Sequence, residues 1–132
     1  MVIDIPDWKT AIDEAIQIHL PRADPKPRTF EEVARVMGAA LELLLISKNQ
    51  KYGKGNILNA TQFGMQPKQG LALRMNDKFE RLKNGLQGKD LGAEGFIESF
   101  GDICGYAAIG IMLERNWYQI PLEEDVNAKS KG

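Results

Sequence analysis

Along most of this chain the apolar residues recur three and four positions apart, and no segment alternates apolar with polar at period two. A period near 3.6 turns one side of a helix toward a core, whereas a half-buried strand needs strict alternation. The expected fold class is therefore all-α, a helical bundle. At 132 residues there is enough chain for one compact domain and too little for two.

Three helices are expected with definite ends. Thr29 followed by Glu32 has the form of a capping box, after which Phe30, Val33, Met37, Ala40, Leu41 and Leu44 make one stripe. That helix should run to about Lys48 and stop before KNQKYGKGN, where Gly53 and Gly55 break it. A second helix, from about Gly70 to Leu86, buries Leu71, Met75, Phe79, Leu82 and Leu86 and is closed by Gly85 and Gly88. A third, roughly Ala93 to Asn116, carries Phe96, Phe100, Cys104, Ala107 and Ile111 on one face. Ahead of these, Asp7 is placed to cap a short helix through Ala11, Ile12, Ala15 and Ile16, and Pro21, Pro25 and Pro27 then forbid regular structure. Residues 1–28 read as an N-terminal arm outside the core, 29–120 as the all-α domain, and 121–132 as a polar, frayed tail.

Charge and composition exclude several classes. Seventeen Lys and Arg against 18 Asp and Glu leave a net charge of -1, which argues against bulk electrostatic binding of nucleic acid. One cysteine, Cys104, and one histidine, His19, leave neither a disulfide framework nor a Cys/His zinc site within one chain. The longest uncharged apolar run, Ile103 to Leu113, spans eleven residues, against about 20 for a membrane helix. No basic leader precedes an apolar segment. The expectation is a reduced, soluble, cytoplasmic protein with no membrane partner.

The chemistry concentrates on acids at helical spacing. Glu98 and Asp102 lie one turn apart on a face that continues through Gly105, Tyr106, Ile109 and Leu113. Because the opposite face is apolar as well, both carboxylates should point into an interior or cleft, where a cation must compensate them. A divalent metal is one such cation, and Arg74, Lys78 or Arg81 of the second helix is another. Asp77 and Glu80 on that helix would bring four carboxylates round Mg²⁺, with Glu80 the better placed of the two. Asp77 points nearly opposite to the buried stripe, so a solvated residue paired with Arg81 or Arg74 is its favoured reading. Glu42, alone in AALELLLIS, stands as ligand, ion-pair partner or edge residue. The loop around Lys48, Lys51, Tyr52, Lys54 and Asn56 suits phosphate binding with Tyr52 stacked on a base, or is a solvated helix-ending turn; it lacks P-loop spacing.

The order KYGKGN, GLALRMNDKFERLKN and ESFGDICGYAAIGIMLE resembles a phage-associated family of nucleotide-modification-associated domains. It is similar, more distantly, to all-α nucleoside triphosphate pyrophosphohydrolases of the MazG type. The resemblance covers roughly residues 30–116. Glu98 and Asp102 match the first and last acids of an E-E-x-x-D motif, with Ser99 in place of its second Glu, and Asp77 and Glu80 match an earlier acidic motif loosely. It implies hydrolysis of a (deoxy)nucleoside triphosphate to monophosphate and pyrophosphate. Mg²⁺ would be held by Glu80, Glu98 and Asp102, with Asp77 as a further ligand, and the same three acids would be catalytic. Arg74, Lys78, Arg81, Lys51, Tyr52 and Asn56 would bind the substrate, and the chain would be a homo-oligomer. The alternatives are a non-catalytic oligomeric helical adaptor or a nucleotide-binding protein; nucleic-acid binding through Lys48, Lys51 and Lys54 is a third.

Overall fold

A computed structural model describes residues 2–92 and 95–131, with side chains to residue 128. It is all-α, with no strand among the described residues. The elements are α1 (Trp8–His19), α2 (Phe30–Tyr52), α3 (Gly55–Leu58), a 3₁₀ turn (Asn59–Phe63), α4 (Pro67–Leu86), α5 (Gly95–Glu114) and α6 (Glu123–Lys131). Helix α1 packs on α2 and α4 packs on α5, while α5 also touches α1 and α2, so that it joins the two pairs.

The caps follow from local chemistry. Asp7 accepts from the Thr10 amide at 2.8 Å and starts α1 as expected. Its carboxyl sits below the usual range because of its hydrogen bonds with Thr10. Thr29 accepts from Glu32 N at 3.2 Å, which is half of the expected capping box. The Glu32 carboxylate does not complete it, since it faces Arg28 N and a bidentate pair with Arg22 at 2.8 and 2.9 Å. Pro67 occupies the first turn of α4, where a missing N–H costs nothing.

The N-terminal segment differs from its reading as an arm outside the core. Ile5, Trp8, Ala11, Ala15 and Leu20 form the main buried cluster together with Val36, Ala40 and Leu44 of α2. Ile3 N donates to Gln50 Oε1, Ile5 N donates to Ser47 Oγ, and Arg22 pairs with Glu32, so α1 runs antiparallel to α2. The prolines at 21, 25 and 27 form the turn that lets α1 double back. Burying Leu20 or Leu44 stabilises by about 1.5–3 kcal/mol each, a contribution a solvated arm would lack.

Other boundaries move by a turn or less. Helix α2 continues past Lys48 to Tyr52, so Lys48, Asn49 and Lys51 are helical rather than loop residues, and Gly53 ends it at φ 68°. Gly55 opens α3 instead of breaking a helix. Residues 123–131, expected to be frayed, form α6 with Glu123, Glu124 and Asp125 at its N-terminus, where acids suit the helix dipole. Ala93, the expected start of the third helix, lies outside the described residues.

The expected buried stripes hold in part. Leu71 and Leu82 are buried in α4, but Phe79 and Leu86 are exposed. On α5 the whole Phe96, Phe100, Cys104, Ala107 and Ile111 face is open. Helix α5 also reaches, with a mean hydropathy of 1.4 over its best window, the length and composition of a membrane-crossing helix. The eleven-residue run missed this because it stopped at Asp102. Here α5 packs along three helices and carries two engaged carboxylates.

Candidate functional site

Helices α2 and α5 and the segment after α5 enclose a cavity of about 440 Å³, within the usual size range of small-molecule sites. Its polar lining includes Lys48, Asn49, Asn56, Arg74 and Asp102. Four aromatic side chains, Tyr52, Tyr106, Trp117 and Tyr118, line it as well. Trp8 forms part of the wall because α5 has glycine at position 101: a Cβ there would lie 2.3 Å from the indole.

Asp102 and Glu98, one turn apart on α5, are held differently. Lys78 Nζ of α4 lies 2.9 Å from Asp102 Oδ2, and Lys48 Nζ of α2 lies 3.7 Å from Oδ1. The Asp102 and Lys78 side chains are only 17% and 16% exposed. The sequence offered Arg74, Lys78 or Arg81 as the compensating cation, and Lys78 fills that place. Glu98 instead accepts from the backbone amides of Trp8 at 2.7 Å and Lys9 at 3.1 Å. An anion there satisfies orphan donors at the start of α1 and meets the positive end of its dipole. Ser99, beside it, is fully buried and returns its hydroxyl to Gly95 O at 2.8 Å.

The remaining expected site residues separate into two groups. Tyr52, Asn56 and Arg74 line the cavity, with Arg74 Nη2 donating to Asn56 O at 2.8 Å. Lys51 is exposed and lies 5.7 Å from the Tyr52 ring centroid. Arg81 turns to Leu91 O at 2.9 Å, away from the cavity. Asp77, Glu80 and Glu42 are exposed, and none lines the cavity.

The expected convergence of Asp77, Glu80, Glu98 and Asp102 on one Mg²⁺ is not what the side chains form. Among the described residues no three acidic, His or Cys side chains gather round a point. Glu98 is committed to amides and Asp102 to ammonium groups, so this donor set does not fit a resident Mg²⁺ held by the four acids together.

Sequence reasoning missed Trp117 and Tyr118. Helix α5 ends in a Schellman turn, with Trp117 N donating to Met112 O at 2.8 Å and Asn116 N donating to Leu113 O at 3.2 Å. Asn116 takes the left-handed conformation, φ 57°, that Asn tolerates better than most residues. The turn carries the chain back across the cleft. Arg115 stacks 4.7 Å from the Trp117 ring, and burial pushes the Tyr118 hydroxyl pKa up, partly offset by Arg74. The readable signal was Asn116 at the end of an apolar run, followed at once by two aromatics. No protein-family model, curated protein or solved structure matches the chain.

Proposed function

We propose that this protein binds a nucleoside phosphate in the cleft between α2, α5 and the segment after α5. One observation carries the reading: a single cavity of about 440 Å³ brings cations and aromatic rings together. Lys48, Lys78 and Arg74 at and behind its wall outnumber Asp102 three to one, and counting Glu98 still leaves one net positive charge. Phosphates would meet Lys48 and Arg74, while a base would stack on Tyr52, Tyr106 or Trp117. Lys48 is the responsive cation, because its 3.7 Å approach to Asp102 leaves it easily drawn to a better anion. The resemblance to nucleotide-handling families agrees, as does the expected soluble, reduced setting.

A second reading, cleavage of a nucleoside triphosphate to monophosphate and pyrophosphate, draws on Asp102, the one expected catalytic acid that lines the cavity. Any Mg²⁺ in that case would arrive with the substrate phosphates.

The test is calorimetric titration of nucleoside triphosphates, with and without Mg²⁺, and of the corresponding nucleosides. Pyrophosphate release is followed on the same samples. Triphosphates should bind and bare nucleosides bind far more weakly, and Lys48→Ala should weaken triphosphate binding about tenfold, close to 1.4 kcal/mol. Release of pyrophosphate, lost in Asp102→Asn, would favour the second reading. Failure of every phosphate compound to bind at millimolar concentration would overturn both.

A further inference from the structure

The face of α5 opposite its carboxylates points to a second copy of this chain. Phe96, Ile97, Phe100, Cys104, Ala107 and Ile111 fall within about 100° of the helical wheel and all are exposed. No charged residue interrupts them, and the stripe is bounded by Glu114, which pairs with Lys68. Phe96, Ile97, Phe100 and Ile111 are 42%, 58%, 61% and 65% exposed. At roughly 200 Å² for a large apolar side chain, those four leave about 450 Å² uncovered.

The surface continues onto α4. The Phe96 ring lies over Gly85, where a Cβ would come within 2.8 Å of it. The next residue, Leu86, is 80% exposed, and Phe79 on the same side of α4 is 52% exposed. Together the apolar area reaches about 700 Å², close to the roughly 800 Å² per partner of a standard stable interface. A patch of that size exceeds what most monomers leave open.

The order of side-chain sizes along the stripe indicates how two copies would meet. In an antiparallel pair with its twofold axis between positions 103 and 104, Phe96 faces Ile111 and Phe100 faces Ala107 of the second copy. Each large ring then meets a smaller side chain, and the stripe is complementary to itself. A charge-free face also brings no like charges together across the axis, as an isologous contact requires. We infer that the chain forms an antiparallel homodimer through α5, with Cys104 beside the axis. This inference is independent of the proposed nucleotide cleft on the other side of the helix.

Sedimentation equilibrium from micromolar to several hundred micromolar tests it, together with cross-linking through Cys104 by a short bis-maleimide. Wild type should be dimeric and cross-link in high yield. Phe100→Glu should sediment as a monomer at every concentration, with an unchanged circular dichroism spectrum, since Phe100 is 61% exposed within one chain and lies outside its buried core. Phe100→Ala and Ala107→Phe should each weaken the dimer at least tenfold, and the double swap should restore it. A wild-type monomer throughout, a dimer unaffected by Phe100→Glu, or association only with lipid vesicles or detergent would overturn the assignment.

Discussion

Gly101 and Gly105 lie one turn apart on α5, and replacing each by alanine should change stability in opposite directions. A Cβ at 101 would stand 2.3 to 2.4 Å from three atoms of the Trp8 indole, against a carbon contact distance of about 3.5–4.0 Å. The indole is a rigid, buried ring, so it cannot swing clear; α1 must move off α5 by more than an ångström or the ring must leave its rotamer. Overpacking of this kind costs about 1–3 kcal/mol. Losing part of the burial of Trp8 adds to it, with complete truncation setting an upper limit of about 3–5 kcal/mol. Alanine recovers about 1 kcal/mol through helix propensity, leaving a net loss of about 2 kcal/mol. At position 105 nothing lies within 4 Å of the added carbon, so only the propensity gain remains, about 0.5–1 kcal/mol of stabilisation. Urea denaturation followed by circular dichroism reads both, and the two midpoints should fall on opposite sides of wild type. A Gly101→Ala protein as stable as wild type would refute the seating of Trp8 on α5, and with it the docking of the N-terminal segment as part of the core.

Other substitutions probe the polar ties. Glu98→Ala leaves the Trp8 and Lys9 amides without their acceptor and should cost about 1–2 kcal/mol, read as a lower urea midpoint; Glu98→Gln, which keeps one acceptor oxygen, should lose less. The Arg22 guanidinium holds the Glu32 carboxyl down at about 2, below its unfolded value near 4.5. That contribution is complete above pH 4.5 and disappears as pH falls toward 2, so the melting-temperature gap between wild type and Glu32→Gln should close over that interval and stay constant from pH 5 to 7. Exposed Cys104 should react with a thiol reagent without denaturant, read from the absorbance of the released chromophore.

Local features of the fold were legible because they depend on near neighbours. The cap at Asp7 needs only Thr10, and the stop at Gly53 needs only a residue that accepts a positive φ. The depth of α1 was not legible. Trp8 meets Gly101 across 93 positions of sequence, and periodicity within α1 carries no trace of a glycine on α5. The same distinction runs through the site. Lys78 could be named in advance, together with Arg74, Arg81 or a divalent metal, as a cation for the Glu98 and Asp102 pair, because a buried acid needs a compensating charge. The partners of Glu98 could not, because backbone amides at a helix start leave no mark in a list of charged residues. For α5, apolar residues on two faces pointed to a helix at the centre of the fold, whereas its own chain packs on the side that bears Glu98 and Asp102 and leaves the other open.

That division on α5 follows from the carboxylates. Two acids at i and i+4 repel by a few tenths of a kcal/mol, so both need a partner, and neighbouring elements supply them. Glu98 draws in the start of α1, while Asp102 draws in Lys48 of α2 and Lys78 of α4. Three helices therefore assemble on the side of α5 that bears its charges, and the glycine at 101 lets Trp8 come in closely between them. The opposite side, richer in large apolar groups, is what remains. A soluble helix ordinarily places its apolar stripe inward and its charges in water, and α5 reverses that arrangement within one chain. Removing the apolar face from water, as association through it would, stabilises this reversed arrangement further. Charge-removing variants that keep side-chain shape, Asp102→Asn above all, should therefore loosen the contacts of α5 with α2 and α4 while leaving the outward stripe, and any association through it, in place.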